Sequence, residues 1–291
     1  MDLNDLLRKK DINPEQVLVF RHRPFEPELN KVLPWLAAEK PDVFNAYQQT
    51  QKEKLERVMT DAAYVASFIG HAPGKALFVG LYSIGPSKPI TQEEYWQVPA
   101  NVVMRKYGME GFTEKDGRSS CLWFDLVLTE FYAAWKGKLI VDWPPPERSW
   151  WRRAHRNNFP VVAILEDSAL IPAVPDWKNV VFKREELEIL PRTWKSALSQ
   201  WRGIYYIFNT SDGKGYVGSA YGDDNLLGRW MNYAASGHGG NALLRKRDPQ
   251  GFRFSILERP SPDMEANDVI QLENTWKNRL HTRAPYGLNE N

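Results

Sequence analysis

An α+β fold in two domains is what this sequence predicts: an N-terminal mixed domain with a small curved sheet or barrel, joined to a compact α/β domain with a short antiparallel sheet and flanking helices. Three observations lead there. Apolar runs of strand length recur between residues 63 and 165, with irregular loops between them. Residues 203–218 read as two strands around a turn. Beyond that hairpin, residues 224–235 and 265–280 each carry an apolar stripe at helical spacing.

The first 60 residues read as mainly helical: Leu3, Leu6 and Leu7 open one segment, and Val32, Leu33, Trp35 and Leu36 mark another. Pro24, Pro27 and Pro34 cut this region into short pieces, and Lys52–Met59 forms a further helix. From about residue 62 the pattern turns to β. Ala63–Gly70 and Ala76–Ser83 are strands separated by His71-Ala72-Pro73-Gly74, followed by Leu122–Leu128, Lys138–Trp143 and Val161–Leu165. The polar stretch Pro86–Arg118 reads as a long excursion between them.

Aromatic residues concentrate in this half, and most belong in a core. A few would suit a cage for a flat ligand, since nucleobases stack on aromatic faces. Trp123, Asp125 and Trp143 are the candidates for such a base pocket. Trp123 and Asp125 share one strand face, opposite Phe124, Leu126 and Leu128, and that face can equally be the solvated one.

Ile171-Pro172-Ala173-Val174-Pro175-Asp176 reads as a connector, Glu185–Leu190 and Trp194–Trp201 as short helices, and the domain boundary falls near residue 190, giving domains 1–190 and 191–291. In the hairpin, Ile204 to Phe208 are β-branched or aromatic, Asn209-Thr210-Ser211-Asp212-Gly213 is turn chemistry, and Tyr216-Val217 resume the strand. Tyr205 and Tyr216 are thereby held on adjacent strands. In the helix of residues 224–235, capped by Asp223 or Asp224, Leu226, Leu227, Trp230 and Ala234 form the stripe, and Arg229 and Tyr233 are surface neighbours. In the helix of residues 265–280 the stripe is Val269, Leu272, Trp276 and Leu280, and Glu273 projects onto it. A carboxylate there is costly unless it is paired or binds a cation: either a Mg²⁺ completed by waters and substrate oxygens, or a salt bridge to an arginine such as Arg229.

Composition bounds the function. A chain of 291 residues, 43% hydrophobic and 25% charged, is ordinary globular protein. One cysteine, Cys121, allows neither an intrachain disulfide nor a thiolate zinc cluster, which suits a cytoplasmic location. The polar start Met1-Asp2-Leu3-Asn4-Asp5 is not a signal peptide, and no apolar run suits a bilayer, so no membrane partner is expected. A net charge of +2 means that any polyanion must meet clustered cations. Two clusters exist, Arg148, Arg152, Arg153, His155 and Arg156 around Trp150-Trp151, and Arg245-Lys246-Arg247; a solvated helix face is the competing account of either.

Gly203-Ile204-Tyr205 followed by Tyr216-Val217-Gly218 resembles the signature of the GIY-YIG nucleases. Downstream, Arg229-Trp230, Gly237-His238-Gly239-Gly240-Asn241, Glu273-Asn274-Thr275-Trp276 and Gly287-Leu288-Asn289 stand in an order similar to the family pattern across residues 203–291. The resemblance implies a compact GIY-YIG domain hydrolysing DNA phosphodiesters with Mg²⁺ or Mn²⁺. In it Tyr205 and Tyr216 correspond to the family's two tyrosines, with Tyr205 as general base and Tyr216 as its partner, or the reverse. Arg229 corresponds to its arginine, Glu273 to its metal ligand and Asn289 to its C-terminal asparagine. Where many members have a histidine one turn after the arginine, this chain has Tyr233, so either Tyr233 or His238 takes that role. A phenol needs the metal or Arg229 to lower its pKa before it can act as a base near neutral pH.

The Tyr64–Tyr82 segment and strand order of the N-terminal half resemble, more weakly, the PUA-like superfamily of base-reading barrels. Together the two resemblances imply a restriction-type endonuclease that flips out and reads modified cytosine in double-stranded DNA, with a homodimer or sequential nicking for a double-strand cut. Arg152, Arg153, Arg245, Lys246 and Arg247 are then the expected DNA contacts. The alternatives are a structure-specific repair or recombination nuclease, and an inactive nucleic-acid-binding protein.

Overall fold

The computed structural model describes residues 1–112, 117–222 and 225–290. Chain contacts divide it into two compact units, Met1–Pro172 and Ala173–Asn291. Among the described residues the strands form two sheets, one of seven strands in the first unit and one of four in the second.

The first unit runs α1 (Leu3–Arg8), β1 (Val17–His22), α2 (Pro27–Glu39), α3 (Pro41–Gln48), α4 (Glu53–Thr60), β2 (Tyr64–Gly70), β3 (Lys75–Thr91), α5 (Gln92–Gln97), α6 (Pro99–Arg105), β4 (Ser120–Leu128), β5 (Leu139–Asp142), β6 (Trp151–Arg153) and β7 (Val161–Ile164). The sheet order is β6-β1-β2-β3-β5-β7, with β4 also on β3. Only β1 and β2 pair in parallel among these strands. The β-rich reading holds, and the sheet is a curled half-barrel.

Two expectations change. Residues 1–60 are mainly helical, but Val17–His22 add a strand inside the sheet that the helical reading did not include. Every residue of β1 is buried: Val17 and Val19 join one core with Leu3, Phe68 and Phe78, while Leu18 and Phe20 join another with Leu33, Phe44 and Val79. A strand covered on both faces carries apolar side chains at successive positions, as at Val17–Phe20, and lacks the alternation that announces a half-exposed one. The excursion also starts later than expected. Strand β3 continues through a register shift between Ile84 and Ser87 and pairs with β4 as far as Thr91–Ser120. The bulge accommodates Pro86, which has no N–H to give a regular ladder.

The second unit runs β8 (Val181–Lys183), α7 (Arg184–Ile189), α8 (Arg192–Gln200), β9 (Gly203–Asn209), β10 (Gly215–Ala220), α9 (Asn225–Ser236), β11 (Phe252–Glu258) and α10 (Ala266–Arg279). Its sheet is antiparallel throughout, in the order β10-β9-β11-β8. The unit starts before residue 190 because β8, pairing with β11, is an end strand of this sheet. The strand β11 was not anticipated, although Phe252, Phe254 and Ile256 alternate with more exposed residues as a half-buried strand should. The expected caps Asp223 and Asp224 lie outside the described residues.

The two faces of this sheet do different work. Ile204 and Val217 pack on Val269 of α10. Tyr205, one residue on, faces Trp230 and Tyr233 of α9, with ring centroids at 6.4 and 6.0 Å. Because β10 ends the sheet, side chains from both faces can reach one cleft beside it.

In the first unit a polar network lies inside the core. His22 Nε2 is 3.2 Å from Gln48 Oε1, which also accepts from Ser67 Oγ at 2.5 Å, so the imidazole donates from Nε2. Burial pushes the His22 pKa down to about 4, against a smaller upward pull from Gln48. The unfolded chain therefore takes up this proton first as pH falls. Stability from the neutral imidazole is complete above about 6.5 and is lost between there and about 4. Chemical denaturation at a series of pH values should show that decline in the native protein and a flatter profile in His22→Phe.

Candidate active site

Tyr205, Tyr216, Ser219, Arg229, Tyr233, Glu273, Lys277 and Asn289 line one cleft of about 530 Å³, with Tyr221, Gly239, Gly240, Asn241 and Glu290 completing its wall. The hairpin register builds its floor. Gly218 of β10 lies opposite Tyr205 of β9, and Tyr216 opposite Ile207. A Cβ on Gly218 would stand 2.4 Å from the Tyr205 hydroxyl, so only glycine lets that ring lie across β10. Gly239 does the same for Tyr233: its φ is +53°, and a Cβ there would lie 2.5 Å from the Tyr233 ring.

The three phenols form a cluster. Tyr205 and Tyr233 hydroxyls are 3.1 Å apart, and the Tyr216 ring lies 6.4 Å from Tyr205 and 6.1 Å from Tyr233. Burial raises all three pKa values far above the ordinary tyrosine value, and charge repulsion between the phenols adds to this, while the hydrogen bond to Tyr233 lowers that of Tyr205. Arg229 pulls each one down. All three are neutral near neutral pH, and a cation in the cleft favours loss of a proton. Arg229 is exposed at the rim and, among the described residues, has no ion-pair partner, which leaves its guanidinium available to an anion.

Glu273 is held differently from expectation. Its partner is not Arg229: Oε1 pairs with Lys277 Nζ at 2.8 Å, and Oε2 accepts a hydrogen bond from Ser219 Oγ. Among the described residues no group of three or more His, Cys, Asp or Glu side chains could enclose a metal. One carboxylate facing an open cleft fits a hydrated Mg²⁺ or Mn²⁺ whose remaining ligands are water and substrate, and does not fit an ion caged by protein alone.

Asn289 lines the cleft and anchors the adjacent strand. Its Oδ1 accepts from Val217 N–H at 2.9 Å and its Nδ2 donates to Val217 C=O at 2.8 Å, so the side chain caps the free edge of β10 as another strand would. Leu288 N–H adds a bond to Gly215 C=O at 2.9 Å. Both polar atoms bond beside Tyr216, and the residue is 2% exposed.

His238 is outside the cleft lining; its Nδ1 accepts from Gly240 N–H at 2.9 Å, shaping the loop whose Gly239 and Gly240 do line it. Tyr233, by contrast, lines the cleft and bonds Tyr205. In the basic cluster, Arg247 is committed to Asp212 at 2.8 Å and to Leu243 C=O at 2.6 Å, whereas Arg245 and Lys246 are exposed.

The predicted base pocket is only partly assembled. Trp123 and Asp125 line a second, smaller pocket with Pro86, Ser87 and Lys88. Trp143 is 4% exposed, packed on Phe159 at 5.5 Å, and donates its indole N–H to Ser149 C=O at 2.9 Å, so it belongs to the core. Arg152 gives Nη2 to the carbonyls of Pro144 and Pro146 at 3.3 and 3.0 Å, and Arg153 is half-buried in β6. Arg152 is thus committed to its own loop.

Sequence reasoning missed Ser219 and Lys277. Lys277 follows Glu273 by four residues, the helical spacing of an ion pair, and could have been found on that ground. Ser219 is distinguished only by the strand register that turns it toward α10.

Residues 202–286 match the GIY-YIG catalytic domain model. Among solved structures, the catalytic domain of homing endonuclease I-TevI is similar at 31% identity, over 31% of this chain and 98% of that one, with a TM-score of 0.26. No curated protein matches the chain. The second unit thus carries a GIY-YIG catalytic domain, a nuclease module.

Two substitutions test this construction. Asn289→Ala should lower the unfolding free energy by about 2–4 kcal/mol in urea titration, since each buried polar group left unpaired costs about 1–3 kcal/mol. Asn289→Asp should fare little better, because an acceptor would face Val217 C=O. Gly218→Ala should cost about 1–3 kcal/mol through overpacking against Tyr205. Wild-type stability in these variants would contradict the roles given to Asn289 and Gly218.

Proposed function

We propose that this chain, a GIY-YIG nuclease, is a metal-dependent restriction-type DNA endonuclease that selects its substrate by reading modified cytosine. The observation that supports hydrolysis is the convergence of Tyr205, Tyr216, Tyr233, Arg229 and Glu273 on one cleft. Arg229 binds phosphate oxygens with two parallel N–H donors and stabilises the charge that builds on them. Tyr205 takes the proton of the attacking water, and its hydrogen bond to Tyr233 lets the second phenol stabilise the resulting charge. Tyr216, on the neighbouring strand, serves the leaving oxygen. Glu273 would hold Mg²⁺ or Mn²⁺, which when bound offsets phosphoryl charge and favours phenol ionisation. Arg245 and Lys246 contact the DNA backbone. One cleft per chain cuts one strand, so a double-strand cut uses a homodimer or two successive nicks.

The N-terminal unit supplies the recognition in this reading, as a PUA-like base reader. Its pocket sets Lys88 directly across from Trp123, with Asp125 two residues along the same face of β4. A cytosine flipped against Trp123 offers its exocyclic amine to the Asp125 carboxylate and an acceptor edge to Lys88.

Tyr205→Phe, Arg229→Ala and Glu273→Ala should each slow single-turnover cleavage of duplex DNA in Mg²⁺ by about 100-fold or more with the fold intact by circular dichroism. Wild-type rates in all three would remove the cleft from the mechanism. Duplexes alike except for unmodified, methylated or hydroxymethylated cytosine should be cut at different rates, and Trp123→Ala should level them. Equal rates with the native protein would end the modified-cytosine reading and leave the nuclease standing.

A further inference from the structure

Lys277 is not needed to explain hydrolysis, yet its ammonium is buried in the cleft, and a role for it there rests on the nuclease reading of that cleft. The Lys277 and Glu273 side chains are 6% and 17% exposed, and Nζ lies 2.8 Å from Oε1. An ion pair this little exposed is only weakly screened by water and salt. Ser219 fixes the other carboxylate oxygen from β10. Glu273 is therefore oriented from two sides and its charge is already balanced. A divalent cation approaching the carboxylate meets a fixed positive charge next to it. DNA changes that balance, because a phosphate entering beside Arg229 brings negative charge and further oxygen ligands into the same cleft.

We infer that Lys277 is a positioning residue that makes cation binding at Glu273 depend on DNA: it holds the carboxylate in place, weakens its affinity for a divalent ion in the DNA-free protein, and so confines tight binding to the complex with the phosphodiester. By linkage, the same coupling makes the cation strengthen DNA binding by the same factor. The chemistry differs from an ordinary surface pair, where removing the lysine would change little.

The test is Mn²⁺ binding to the full chain followed by electron paramagnetic resonance, alone and with a short duplex whose own Mn²⁺ binding is subtracted. The native protein should bind Mn²⁺ weakly without DNA and more tightly with it. Lys277→Gln, and Lys277→Met as a second charge-free variant, should tighten DNA-free binding by about tenfold or more, as removal of a neighbouring unit charge in a partly buried site requires. Lys277→Arg should keep the native pattern. Glu273→Gln should abolish the site in every background. An unchanged DNA-free affinity in folded Lys277→Gln and Lys277→Met would overturn this inference alone. Failure of every protein to show Glu273-dependent Mn²⁺ binding, with or without DNA, would remove the metal site and the hydrolytic reading with it.

Discussion

The pairing of Tyr205 with Gly218 across β9 and β10 is the constraint on which the site depends. A slip of one residue would put Tyr205 and Tyr216 on opposite faces and bring either Ile204 or Val217 into the cleft. Glycine at 218 makes room for the Tyr205 ring, and the Asn289 amide holds the outer edge of the same strand through Val217. The register is thus defended from both sides of β10. With it in place, α9 supplies Arg229 and Tyr233 over one face and α10 supplies Glu273 and Lys277 over the other.

The electrostatics of the cleft follow from that geometry. Three phenols desolvated in this way, two of them buried and Tyr216 partly so, do not ionise readily, so the site is chemically quiet until cationic charge arrives beside them. Arg229 supplies part of that charge at the rim, while Lys277 spends its own on Glu273. The outcome is a cleft whose positive charge is distributed between a group open to solvent and one already paired. This is a sensible arrangement for a catalyst whose substrate is itself a polyanion.

Much of the second unit was legible because local sequence rules and tertiary structure agree there. Residues 203–218 combine β-forming side chains with turn chemistry, and the periodicity of residues 265–280 turns Glu273 inward. What was illegible depended on long-range contacts. No local signal says that Asn289 would use both amide atoms on Val217, or that Ser219 would meet Glu273. In the first unit, β1 was hidden by its own burial, since a strand apolar on both faces gives no period. The tryptophans were harder still: Trp123 and Trp143 are the same residue type, but one stands half-exposed beside Lys88 and the other is enclosed with Phe159. Only tertiary packing separates them.

The central claim is that residues distant in sequence act as one catalytic unit on a phosphodiester. A double-mutant cycle measured by single-turnover cleavage, combining Tyr205→Phe with Glu273→Ala, addresses it most directly. Cooperating groups give a double variant little slower than the worse single one. Losses that simply multiply would show two independent contributions and contradict a shared site.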